Sequence, residues 1–196
     1  MKLRPNPRYA EFANHLRTMA PALSPWTGVT FRSVRLEHAT PEEILSGEGS
    51  LRCGGRWNAP ASFAVVYSST RPGTAAEEAF RLASDFGLRP EELKPRLVCG
   101  IEWKLARVLD LTQPGLPDWL RLSDWMQEQF AQINDGGFET LCQAFGRAAR
   151  NSGVSALLSP SVRATGGVNL VVFRDRLRKT EGMRLLGLDE LKRHRG

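Results

Sequence analysis

Residues 154–173, VSALLSPSVRATGGVNLVVF, hold two apolar runs, Val154 to Leu158 and Val168 to Phe173, on either side of a polar loop from Pro160 to Gly167. Both runs have strand length and composition. Upstream, Phe63 to Ser69, FAVVYSS, is a short apolar run suited to a central strand, and Thr74 to Phe86 follows it as a helix. Leu97, Cys99, Ile101 and Trp103 alternate with partners expected to be exposed and Arg107 to Leu111 follows closely, which predicts two strands flanking a tight connection. In Thr27 to Arg35, TGVTFRSVR, Val29 and Phe31 alternate with Thr30 and Arg32, the pattern of a strand that would project Arg32 from a rigid element. Strands and helices mix without regular alternation. That argues for an α+β fold, one domain with a mixed sheet and flanking helices, rather than a doubly wound parallel sheet.

The helices are marked by period and punctuation. Residues 8–20, RYAEFANHLRTMA, set Tyr9, Phe12, Leu16 and Met19 at helical spacing before Pro21 stops the pattern. Thr40-Pro41-Glu42-Glu43 has the residue order of a capping box opening a short helix that ends by Gly47. Residues 117–132 and 138–151 read as helical around the Asn134-Asp135-Gly136-Gly137 break, and Leu185 to Arg193 as a short closing helix. Residues 47–60, GEGSLRCGGRWNAP, are glycine-rich without apolar periodicity and are expected to form a loop whose backbone can approach a ligand.

Composition narrows the function classes. A chain of 196 residues that is 41% hydrophobic can form one domain burying roughly 70% of its unfolded surface. The three cysteines, Cys53, Cys99 and Cys142, are widely spaced, which suggests neither a disulfide framework nor a zinc site and fits a reducing compartment. The N-terminal stretch has basic residues with no apolar core behind them, and no run approaches the roughly 18 apolar residues of a membrane helix. The expectation is a soluble, cytoplasmic protein with no membrane contact and no bound metal. Its net charge of +6 is carried by 22 Arg against 5 Lys. Guanidinium groups make planar, bidentate contacts with phosphate, so this bias suits a phosphate binder, although a GC-rich genome would produce the same ratio. From Arg174 onward there are eight basic and four acidic side chains, the pattern of a solvated helix and coil.

Gly54-Gly55-Arg56-Trp57-Asn58 combines close backbone approach, phosphate contact, an aromatic plane and an amide within five residues, a mixture suited to a nucleotide. The plainer alternative is a tight turn with Trp57 in the core and Arg56 in water. Neither G-x-G-x-x-G nor G-x-x-x-x-G-K-[ST] is present, so Rossmann and P-loop readings are unsupported. The loop around Ser161 lies between two strands, where function often resides, yet serine and glycine also make ordinary turns. Glu78 alone is weaker, since the helix dipole favours a glutamate near any helix start.

In combination these pieces gain meaning. A strand with Phe31-Arg32, a Gly-Gly-Arg-Trp-Asn loop, a Val-Val-Tyr-Ser strand, an A-x-x-E helix and a Pro-Ser-Val-Arg loop before Asn-Leu-Val-Val-Phe occur in the order seen in the RES-domain family, which this sequence resembles over about residues 28–174. The resemblance divides the chain into an N-terminal helical extension (1–27), a RES-like NAD-binding catalytic domain (28–174) and a basic C-terminal helix or tail packed on it (175–196). It implies a fold similar to the ADP-ribosyltransferase toxins and a toxin of a RES-Xre toxin-antitoxin pair that depletes NAD, by hydrolysis or phosphorolysis of the nicotinamide-ribose bond. NAD would be the substrate and no cofactor is needed.

Matched position by position, the resemblance assigns Arg32, Glu78 and Ser161 as the catalytic set, with Arg56, Trp57, Asn58, Tyr67 and Asn169 binding substrate. The A-x-x-E spacing selects Glu78, since Glu77 would face about 100° away on the helix. Nicotinamide leaves a cationic pyridinium as a neutral molecule, so no general acid is required, and Glu78 would stabilise the oxocarbenium-like ribose. Arg32 and Arg56 would hold the pyrophosphate, Tyr67 and Trp57 would shape the nicotinamide slot, and Ser161 with Asn169 would orient the substrate. The implied partner is an Xre-like helix-turn-helix antitoxin, with the toxin a homodimer or part of a larger complex and making no nucleic-acid contact of its own. Two alternatives stay open at this stage: ADP-ribosyl transfer to a protein through the same cleft, and a basic nucleic-acid-binding module, suggested by a pI near 9.7 and five Trp.

Overall fold

The two longest strands, β1 (Ser24–Arg35) and β3 (Arg96–Asp110), pair antiparallel from Ser24 opposite Val108 to Arg35 opposite Arg96. The computed structural model describes residues 3–18, 23–85, 89 and 95–187. Strands β2 (Val65–Ser69), β4 (Ala156–Pro160), β5 (Val168–Phe173) and β6 (Gly182–Leu185) complete a sheet in the order β1-β2-β5-β4-β3-β6. The β1–β3 pairing joins the first strand of that order to the fifth and closes a ring. The sheet is mixed, because β3 and β4 run parallel while the other pairs are antiparallel.

Side chains from all five ring strands meet in one apolar cluster that includes Val34, Val66, Ile101, Ala156 and Leu170. A second cluster joins the other face of β2, β4 and β5 to α1 (Tyr9–Thr18) and α7 (Leu141–Asn151), through Phe12, Leu16, Phe145, Val65, Leu157 and Val171. The remaining helices are α2 (Pro41–Ser46), α3 (Glu48–Cys53), α4 (Pro72–Asp85), α5 (Leu122–Trp125) and α6 (Phe130–Asp135). The chain is therefore an α+β domain with a mixed sheet and flanking helices.

Several local expectations change. Gly47, at φ 73°, both ends α2 and starts α3, so the first part of the expected 47–60 loop is a helical turn. It is held by tertiary bonds, with Ser50 Oγ donating within hydrogen-bond distance of the Gly47 and Val65 carbonyls and accepting from Val65 N–H at 2.8 Å. The two strands expected across 97–111 are one. Trp26 faces Leu105 but Ser24 faces Val108, so β3 carries one extra residue around Ala106 and Arg107. This bulge shifts the alternation and imitates a connection. The expected 117–132 helix is two short pieces, because the Met126 and Glu128 carbonyls between them accept from Arg56 at 2.9 and 3.3 Å.

β1 buries Thr30 and Val34 and leaves Val29 38% exposed, since Thr30 Oγ1 donates to Ser68 Oγ at 2.7 Å and accepts from Trp103 Nε1 at 2.8 Å. Leu185 ends β6 rather than starting a helix, and residues 188–193 of the expected closing helix lie outside the described residues, as does Met19. Capping at Thr40 occurs as expected, with its hydroxyl accepting from Glu43 N–H.

Candidate active site

β2 is paired to β5 over five successive residues, yet β1 meets it only where Phe31 lies opposite Ser69. Beyond that point β1 runs on to Arg35, and a cavity of about 680 Å³ is lined by residues of the parted strands, the end of α3, α4 and the α5–α6 turn. Its volume lies within the range of about 300–1,000 Å³ usual for small-molecule sites.

Arg32 stands at the parting, its Nη1 donating to the Tyr67 carbonyl at 3.2 Å and so bridging the gap between the strands. Its Nε is buried without a hydrogen-bond partner among the described residues. Burial lowers the Arg32 pKa, and the neighbouring Arg96 charge lowers it further. A desolvated guanidinium next to another cation favours an anionic ligand.

Glu78 projects into the same cavity from α4, whereas Glu77 is exposed and lines no part of it. Oε1 of Glu78 accepts from Ser161 Oγ at 2.6 Å and from Asn169 Nδ2 at 2.7 Å, and Oε2 lies 3.3 Å from Arg163 Nε. Asn169 is in turn oriented by Ser69, whose hydroxyl donates to its Oδ1 at 2.6 Å from the register position directly opposite. Arg32, Glu78 and Asn169 thus line one cavity, and Ser161 stands behind the carboxylate and holds it.

The glycine-rich segment divides. Gly54, at φ 72°, turns the chain out of α3, and a Cβ on Gly55 would come within 2.7 Å of Tyr67 Oη. That close approach lets the Tyr67 hydroxyl accept from Trp57 N–H at 2.9 Å and donate to Asn58 Oδ1 at 2.8 Å. Burial raises the Tyr67 pKa, so the phenol stays neutral and lines the cavity. Of the two expected substrate contacts that follow in the motif, Trp57 is among the residues bordering the cavity and Asn58 is not. The Trp57 indole packs on Phe145 in the core at 2% exposure, and Asn58 is fully buried with Nδ2 donating to the Ser50 and Phe63 carbonyls. Both hold the Tyr67 hydroxyl, Trp57 through its N–H and Asn58 through Oδ1. Arg56 lines the cavity with its guanidinium also braced on the Met126 and Glu128 carbonyls.

Among the described residues, Arg32, Arg35, Arg56, Arg96 and Arg163 line the cavity with one carboxylate, Glu78. Arg96 is fixed by donating to Ser33 Oγ at 2.9 Å and to the Ser33 carbonyl at 3.0 Å. Sequence reading assigned no role to Ser69, Arg96 or Arg163. The Pro-Ser-Val-Arg order was a signal for Arg163, while the other two depend on cross-strand register. Among the described residues, no group of three His, Cys, Asp or Glu side chains is placed to hold a metal, and no helix is long and apolar enough to cross a membrane.

An arginine-lined wall around the firmly held Glu78 carboxylate is the setting the sequence resemblance implied, and comparison decides the family. The chain matches the RES domain over residues 27–187. It belongs to the RES-domain family. This RES protein is 35% identical over 133 residues to the NAD(+) phosphorylase MbcT of Mycobacterium tuberculosis and of Mycobacterium bovis, covering 66% of this chain and 66% of each relative. The chain thus spans just under two thirds of the length of these curated relatives. In fold, the RES protein is similar to a chain in the crystal structure of the M. tuberculosis MbcT-MbcA toxin-antitoxin complex, with a TM-score of 0.62 and 23% identity over 96% of this chain and 97% of that one.

Proposed function

We propose that this protein is a toxin that depletes cellular NAD by cleaving the nicotinamide-ribose bond, with phosphate or water as the acceptor. The observation that carries the reading is the Glu78 carboxylate, the one that lines the cavity among the described residues, fixed by Ser161, Asn169 and Arg163 within a wall of arginines. A dinucleotide supplies what that wall selects, a diphosphate for the guanidinium groups and a ribose whose charge becomes positive as its base leaves. The RES relatives named NAD(+) phosphorylase support the same substrate and favour phosphate as acceptor.

In this mechanism Arg32 and Arg96 hold the diphosphate, and Tyr67 forms a neutral wall of the nicotinamide slot. Glu78 faces the ribose and lowers the barrier to oxocarbenium formation, while Ser161 and Asn169 act as positioning residues that keep one carboxylate oxygen aimed. The protein would act in the cytoplasm, where its substrate is, on a fold of ADP-ribosyltransferase type. A helix-turn-helix antitoxin of Xre type would neutralise it, a role suggested by the toxin-antitoxin complex of the structural relative. The test is product identification by mass spectrometry after exposing NAD to the purified protein with and without phosphate. Nicotinamide with ADP-ribose or its 1″-phosphate is expected. Intact NAD, or ADP-ribose attached to added protein, would contradict the proposal.

A further inference from the structure

Phosphorolysis sets a problem that hydrolysis does not. The carboxylate that steadies a positive ribose also repels an incoming phosphate dianion, whereas neutral water feels no such barrier. A site that uses phosphate therefore needs a cation beside the carboxylate, held so that it does not collapse away from the path of attack.

Arg163 meets that description. Its Nε lies 3.3 Å from Glu78 Oε2, on the oxygen that Ser161 and Asn169 leave alone, and its side chain is only 10% exposed. The loop that presents it is closed by four hydrogen bonds. Ser161 Oγ accepts from the N–H groups of Arg163 and Ala164 at 3.1 and 2.9 Å, Ser161 N–H donates to the Gly167 carbonyl at 2.8 Å, and Gly167 N–H donates to the Ala164 carbonyl at 2.9 Å. A Cβ on Gly167 would meet Thr74 Cγ2 at 2.8 Å, so the loop is seated against the first turn of α4, the helix that carries Glu78. Ser161 thus ties the pair together, holding the carboxylate through its proton and, through its lone pairs, the backbone from which the Arg163 side chain springs.

Resting on the NAD-cleaving reading above, we infer that Arg163 is the phosphate-selecting residue, a guanidinium that cancels the Glu78 charge toward the acceptor side and binds inorganic phosphate beside the ribose. In the step it serves, a phosphate oxygen forms a bond to ribose C1′ while the C1′–N bond breaks and its electron pair passes to the pyridinium nitrogen. Hydrogen phosphate and NAD give neutral nicotinamide and ADP-ribose 1″-phosphate, the proton of the attacking phosphate remaining on the new ester in the step itself and being lost to water afterwards as the ester ionises. Water as acceptor gives ADP-ribose and releases one proton.

The experiment measures both products as phosphate is varied, for wild type, Arg163→Gln and Arg163→Lys, with circular dichroism as a check on folding. Arg163→Gln is expected to raise the KM for phosphate by about tenfold or more, the size of a lost charge-assisted contact, and to shift products toward ADP-ribose. Hydrolysis in phosphate-free buffer falls as well, since Glu78 loses a partner, but by a smaller factor. Arg163→Lys, which keeps the charge without the planar fork, should lie between, and it carries the test if the glutamine variant does not fold. Equal loss of both products at an unchanged phosphate KM would overturn the inference and leave a merely structural arginine. Wild-type cleavage that ignores phosphate would overturn it while sparing the NAD reading, whereas absence of NAD cleavage under every condition would remove both.

Discussion

The two edges of β2 have opposite fates. Toward β5 the strand is paired residue by residue from Val65 to Ser69, and Val65 shares a core with Phe145 of α7, the helix that also presses the Trp57 turn so closely that a Cβ on Gly146 would lie 2.0 Å from the Trp57 carbonyl oxygen. Toward β1 it makes one register contact and then leaves its backbone to a side chain, with Arg32 on the Tyr67 carbonyl. The gap thus exists because ladder pairing is withheld there, and Arg32 supplies the Tyr67 carbonyl with the donor that a neighbouring strand would have given. The same device recurs at the β3 bulge, where Ala106 N–H donates to Glu181 Oε1 at 2.7 Å.

If the open edge is for chemistry and the closed edge for stability, substitutions should separate the two. The largest effect is expected from Glu78→Gln at the open edge, a loss of about a hundredfold or more in NAD cleavage with little change in Tm, read by a nicotinamide assay beside thermal unfolding. On the closed side, where α7 presses the Trp57 turn, Gly146→Ala drives a methyl against the Trp57 carbonyl and should destabilise by about 3 kcal/mol in urea unfolding.

Tyr67 belongs to both edges and sharpens the boundary. Tyr67→Phe strips Trp57 N–H and Asn58 Oδ1 of a partner and should lower stability by about 1–3 kcal/mol, while Trp57→Phe should alter stability without the NAD selectivity change that a stacking residue would produce. The smallest effect concerns acid. Burial pushes the Glu181 pKa up, but N–H groups of Ala106 and Arg178 with the Arg107 charge outweigh it and hold the net value below 4.5. The charged form is favoured by folding, so its contribution is complete above the ordinary carboxylate range and fades as pH falls through it. The Tm gap between wild type and Glu181→Gln should accordingly narrow between neutral and acidic pH, by less than the effect of Tyr67→Phe.

Much of the sheet was legible because burial enforces period: Ile101 and Trp103 alternate as written, and Val168–Phe173 forms β5 with the bounds its apolar run marks. The β3 bulge was not, since one inserted residue shifts the phase and reads as a break. The Glu78 site was legible through motif order. Its partners separated by type, because Trp57 and Asn58 sit in a functional motif yet turn inward, a direction fixed by α7, where Gln143 Nε2 donates to the Gly55 and Asn58 carbonyls at 3.0 and 3.3 Å. No local pattern shows that a helix 88 residues away decides which way a turn faces.

The most direct test is a crystal structure of Glu78→Gln with NAD bound. The account predicts the diphosphate against Arg32 in the gap between β1 and β2, with the nicotinamide ribose at residue 78. A dinucleotide bound on another face, with the gap between the strands unchanged and empty at saturating NAD, would contradict it.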